Sequence, residues 1–108
     1  MADVLERDWK LFRKMLPEWQ ERHMTKLLDE YMALLTSQDC PSEKFWALHD
    51  RIKDDKKSPG VIVNGSRRSS MTFELVQLVM DGVISVDELD GFSEDLQAHV
   101  IRAVQTWS

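Results

Sequence analysis

The chain has 108 residues, 43% of them apolar and 31% charged, with four Gly, three Pro and a net charge of −5. That length suits one domain, and the composition excludes intrinsic disorder, collagen-like repeats and low complexity. The acidic balance argues against wholesale binding of a phosphate backbone, which needs a basic field.

The amino end lacks an apolar leader region, no window approaches the roughly 18 apolar residues of a membrane span, and the lone Cys40 can form no internal bridge. The expectation is a single helical domain over 1–108 in the cytoplasm.

From Val4 to Leu16, residues including Trp9, Leu11, Phe12 and Met15 fall within about 160° when wound as a helix, a wide apolar face. Pro17 has no N–H and suits a helix start, so a break or kink is expected at Leu16–Pro17. A second helix follows, with Met24, Leu27, Leu28, Tyr31, Leu34 and Leu35 at i, i+3, i+4, i+7 spacing, fading at residues 36–38. This is the strongest amphipathic signal in the chain.

Asp39 or Ser42 can cap a third helix, with Pro41 in its first turn and Phe45, Leu48, His49 and Ile52 as its inward face. Pro59 and Gly60 end that region. Val61, Ile62 and Val63, bounded by turn residues at Asn64-Gly65, have no partner strand in sight and read as a packed loop. From Ser70 to Met80 only Thr72, Glu74 and Gln77 interrupt the apolar residues, which predicts a buried central helix. Gly82 closes it in the left-handed conformation, Ser85 and Glu88 form a capping box, and Ser93 caps a last helix with Leu96, Val100, Ala103, Val104 and Trp107 on one face. The expected fold class is all-α: a compact single-domain bundle of five or six short helices around a central buried helix near 70–81.

Motifs for chemistry are scarce. Asp81, Gly82, Ile84, Ser85 and Glu88 coincide with the later positions of an EF-hand loop, but the first and third ligand positions would be Gln77 and Val79, and Val cannot ligate. Cap logic reads the segment as a helix stop, a turn and a helix start. Cys40, His23, His49 and His99 lack zinc-ligand spacing, and no nucleophile elbow or phosphate loop is present. No catalytic residue, metal or cofactor is assigned; His49 and His99 read as core or boundary residues.

Three features speak to partners. Lys56, Lys57, Arg67 and Arg68, with Ser69 at the start of a helix, make a candidate anion-binding corner. Residues 74–95 hold seven acids and no base, and Asp87, Glu88, Asp90, Glu94 and Asp95 make a candidate docking face for a basic partner; as first-turn residues several also simply complement helix dipoles. Trp9 and Trp19, in an amino-terminal stretch unusually rich in large apolar side chains, are candidates for an apolar contact or self-association if the core leaves them uncovered.

The leading expectation is a small interaction protein, a regulator, adaptor or inhibitor, that binds a protein partner through the acidic face or the Trp-rich helix, with a dimer open. A nucleic-acid-associated protein using the basic loop at 56–68 is the alternative. A metal-dependent or hydrolytic enzyme ranks third.

Overall fold

The computed structural model describes residues 5–63 and 67–107, Trp107 by its backbone alone. Val4 and the turn expected at Asn64-Gly65 therefore lie outside the described residues, as does Ser66. The fold is all-helical: α1 (Glu6–Leu35), α2 (Pro41–Asp55), α3 (Arg68–Met80), a single 3-10 turn (Val86–Leu89) and α4 (Glu94–Trp107). Among the described residues there is no strand, and residues 61–63 are loop as expected, tied by Val61 and Ile62 N–H bonds to the Ser58 carbonyl.

Four α-helices replace the expected five or six because α1 runs unbroken for 30 residues through Pro17. Proline removes the bond to the carbonyl four residues earlier and costs about 3 kcal/mol in a helix interior. Here that carbonyl belongs to Arg13, and both Arg13 and Pro17 are exposed, so water can satisfy it. Phe12 and Trp19, on either side of the proline, are buried in one core, which holds the two halves in a single helix.

Trp9, Phe12 and Trp19 of α1 pack with Met71, Leu75, Val76 and Leu78 of α3, with Leu96 and Val100 of α4, and with Val83, Ile84, Leu89 and Phe92 from the connection between them. Ring centroids step from Trp9 to Phe12 to Trp19 to Phe92 at 6.2, 6.5 and 6.4 Å, spacings at which aromatic pairs attract. We call this part the head. The surplus of apolar side chains at the amino end is consumed here, so Trp9 and Trp19 are core residues and present no docking surface.

The Asp81-Gly82 stop forms as read. Gly82 takes φ +76°, the Gly82 N–H bonds the Val79 carbonyl and the Val83 N–H bonds that of Leu78, the pattern of a Schellman cap. Ser85 and Glu88 cap as expected, but what they start is one 3-10 turn.

The expected central helix is only half right. One side of α3 carries the buried residues, yet Phe73 and Met80 are exposed. The two stand seven residues apart, on one side of α3.

The molecule is also not compact. It measures 53 × 26 × 21 Å with a radius of gyration of 16.3 Å, where about 13 Å is usual for this length. The excess is an arm: the carboxyl-terminal half of α1 turns at residues 36–40 and returns as α2, which packs chiefly on α1. No residue of α2 is fully buried.

Candidate interaction surfaces

The arm is held by a small seam. Leu27 is buried and Tyr31, Leu34 and Leu48 are half-buried. Tyr31 donates its hydroxyl to Asp55 at 2.5 Å, Arg51 bonds Glu30 at 2.9 Å and lies over the Tyr31 ring. Burial and the Asp55 carboxylate push the Tyr31 phenol up to about 12, since both disfavour a second negative charge.

Beyond that seam the arm exposes six large apolar side chains among its charged ones. Leu28, Met32 and Leu35 on α1 are 59%, 64% and 44% exposed, and Phe45, Trp46 and Ile52 on α2 are 64%, 59% and 43% exposed. This overturns the inward face read for α2: Leu48 alone of its four residues turns toward α1, while Phe45, His49 and Ile52 face solvent. Phe45, Trp46 and His49 cluster edge to face, with centroids 5.1 and 5.6 Å apart. The periodicity of α2 was correct. A 3.6-residue period identifies an apolar face without saying what lies against it.

Between the arm and α3 lies a cleft of about 740 Å³ bordered by Lys26, Glu30, Arg51, Gln77 and Asp81, with His23 in its wall. Its polar groups mostly satisfy one another: Asp81 accepts from Ser58 at 2.6 Å and from Gln77 at 2.9 Å, and Lys57 reaches Asp54 at 3.5 Å. His23 is buried beside Gly60, and its Nδ1 has no hydrogen-bond partner among the described residues. His49 and His99, expected as core or boundary residues, are both exposed.

The five acids of the expected docking face do not act as one set. Arg22 holds Glu88 through two bonds, 2.6 and 3.0 Å, while bonding the Val83 carbonyl at 2.9 Å. Glu88 also accepts the Ser85 N–H at 2.8 Å. The guanidinium, helped by that N–H, holds the Glu88 carboxyl below its ordinary range. Glu88 therefore ties the connection to α1. Asp87, Asp90, Glu94 and Asp95 are exposed and have no ion pair among the described residues.

The basic corner is not assembled. Ser58, beside Lys57, bonds Asp81 at the carboxyl end of α3. Arg68, at the other end of that helix, pairs with Glu6 at 2.7 Å and lies over Trp9. Thirteen residues of helix span about 19 Å, so Lys56 and Lys57 sit away from Arg67, Arg68 and Ser69. The start of α3 is served by Ser70, whose Oγ accepts the Arg67 N–H at 3.3 Å.

Among the described residues no group of three or more His, Cys, Asp or Glu side chains is placed to hold a metal, and no helix is long and apolar enough to cross a membrane. Asp81 and Glu88, the acids of the EF-hand resemblance, are both engaged in the bonds above. No protein-family model, curated protein or solved structure matches the chain.

Proposed function

We propose that this is a small helical interaction protein, a regulator, adaptor or inhibitor, that works by association and has no catalytic chemistry of its own. The observation that carries the reading is α2, a 15-residue helix that buries no residue fully and shows Phe45, Trp46 and Ile52 to solvent. Contiguous apolar surface of this kind marks interaction sites in soluble proteins, and aromatic side chains dominate interface energetics.

Charge supports a second surface. Residues 24–57, the arm, hold six Lys and Arg and seven Asp and Glu, whereas the rest of the chain holds eight and twelve. Most of the net −5 therefore lies in the head, where Asp87, Asp90, Glu94 and Asp95 are exposed. Exposed acids without an ion pair favour a basic protein partner. A nucleic-acid role has less support, because the bases are dispersed and Arg68 and Lys57 are paired with carboxylates.

The test is a photo-crosslinking amino acid placed at Trp46 and, as a control on the head, at Lys10, in the source cells. A discrete product from position 46 that disappears when Phe45 and Ile52 are changed to Gln is expected. No product at 46, or the same product from position 10, overturns the reading.

A further inference from the structure

We propose that the partner of the arm is a second copy of this chain, the two arms lying antiparallel side by side as a four-helix bundle. The inference rests on the reading of the arm as an association surface, and it assigns that surface an occupant.

The geometry begins with the helical wheel. Wound at about 100° per residue, Phe45, His49 and Ile52 form one stripe on α2, turned roughly 90° from the Leu48, Arg51 and Asp55 side that meets α1. On α1, Leu28, Met32 and Leu35 are turned roughly 100° from the Leu27, Tyr31 and Leu34 side, in the same rotational sense. The two helices are antiparallel, since Glu30 and Tyr31 meet Arg51 and Asp55 across a short turn. Rotation of the same sense then carries both stripes to one face of the hairpin. The Glu30–Arg51 pair marks the opposite face, on the side of the charged cleft.

Three properties of that face suit a copy of itself. Its size is that of a weak, reversible interface: the exposed parts of Leu28, Met32, Leu35, Phe45 and Ile52 amount to roughly 500 Å² per copy, against the roughly 800 Å² that each partner contributes to a standard one. Its charge is permissive, because the arm is nearly neutral while the head is acidic, so two copies meet with least repulsion through their arms. Its ends are complementary. Asp39 and Glu43 lie at the tip and Lys53 and Lys56 flank the stripe toward the base, all four exposed. A two-fold axis through the middle of the arm sets each tip beside the other copy's base. Two antiparallel hairpins closing around a shared apolar seam is also how helical bundles solve the problem of a helix with one uncovered face.

Sedimentation of the full chain tests the assignment. Wild type is expected to shift with concentration from its 12.6 kDa mass to twice that mass, dissociating on dilution. Phe45→Gln with Ile52→Gln should weaken the dimer at least about 100-fold, the scale of losing buried anchors at an interface. Helix content and the near-ultraviolet signal of the buried Trp9 and Trp19 should stay unchanged in that variant, which separates lost association from lost folding. Spin labels on Cys40, exposed at the tip, should report about 20 Å or more between copies in the antiparallel arrangement, given the length of α2.

A wild type that stays monomeric at several hundred micromolar, a dimer unaffected by the double substitution, or labels in contact would each overturn the proposal. A monomer that crosslinks from position 46 to a different protein leaves the interaction reading standing and removes the second copy. A monomer that crosslinks to nothing removes both.

Discussion

Asp8 and Ser93, 85 residues apart in sequence, close the head. The Ser93 N–H and hydroxyl both bond the buried Asp8 carboxylate, at 2.9 and 2.6 Å, and the same hydroxyl accepts the Leu96 N–H at 3.4 Å to begin α4. A first-turn residue of α1 thus holds the cap of the last helix. Asp8→Ala leaves two donors in a nearly closed site, and a loss of about 2–3 kcal/mol in urea unfolding is expected. Combined with Ser93→Ala the losses should be less than additive by about 1 kcal/mol or more. Strict additivity would show that the pair does not act as one unit.

The Arg22–Glu88 pair predicts an acid-sensitive term. Glu88 has its carboxyl lowered in the folded state, so its stabilisation is present above the ordinary carboxyl range, about 4.3 for Glu, and is lost as pH falls through the lowered value. Both partners are partly exposed, which keeps the effect near 1 kcal/mol. Glu88→Gln should cost about that much at pH 7 and nearly nothing at the acid end of the titration. An equal loss at both ends would contradict the assignment.

Tyr31 is the only tyrosine in the chain, so alkaline absorbance reports one phenol. Its midpoint is expected near 12, and Asp55→Asn should bring it part of the way down, since burial, the larger cause, remains. The folded state favours the protonated phenol, so its contribution is complete below the unfolded value of about 10 and disappears as pH rises through the folded one. A wild-type midpoint at 10 would mean that the hairpin of α1 and α2 is open in solution.

Gly60 has no room for a side chain. A Cβ there would run into Val83 and stand 2.8 Å from His23 Cδ2. Gly60→Ala should destabilise by about 1–3 kcal/mol through overpacking, while His23→Ala in the same background should recover part of the loss by opening the site. No loss on Gly60→Ala would show that the loop moves away without penalty.

What the sequence made legible was local. The end of α3 at Asp81-Gly82, the Ser85–Glu88 box and the Ser93 cap each depend on a few neighbouring residues, and each was read correctly. Pro17 reads as a break or kink because its cost is local, and there is no break because the burial of Phe12 and Trp19 that offsets that cost is tertiary. Asp8 gave no signal at all, since its only special feature is a partner 85 residues away.

The arm shows the same limit from the other side. Met24 to Leu35 was the clearest amphipathic segment, and Phe45 and Ile52 were recognised as a stripe. Periodicity put those residues inside because it assumes that an apolar face is covered within the same chain. The width of the α1 stripe was the available clue: Leu27 and Leu34 suffice for the seam with α2, and Leu28, Met32 and Leu35 are in excess of it. Trp46 was overlooked, standing beside the stripe.

Because α1 belongs to both the core and the arm, no joint separates them. Its 30 residues form a single rod about 45 Å long. If two copies join by their arms, each rod would set its own head at a fixed distance from the other, like the jaws of a caliper. A partner able to meet both heads at that spacing would gain avidity from the second contact; one with its sites closer together or farther apart would bind no better than to a single head.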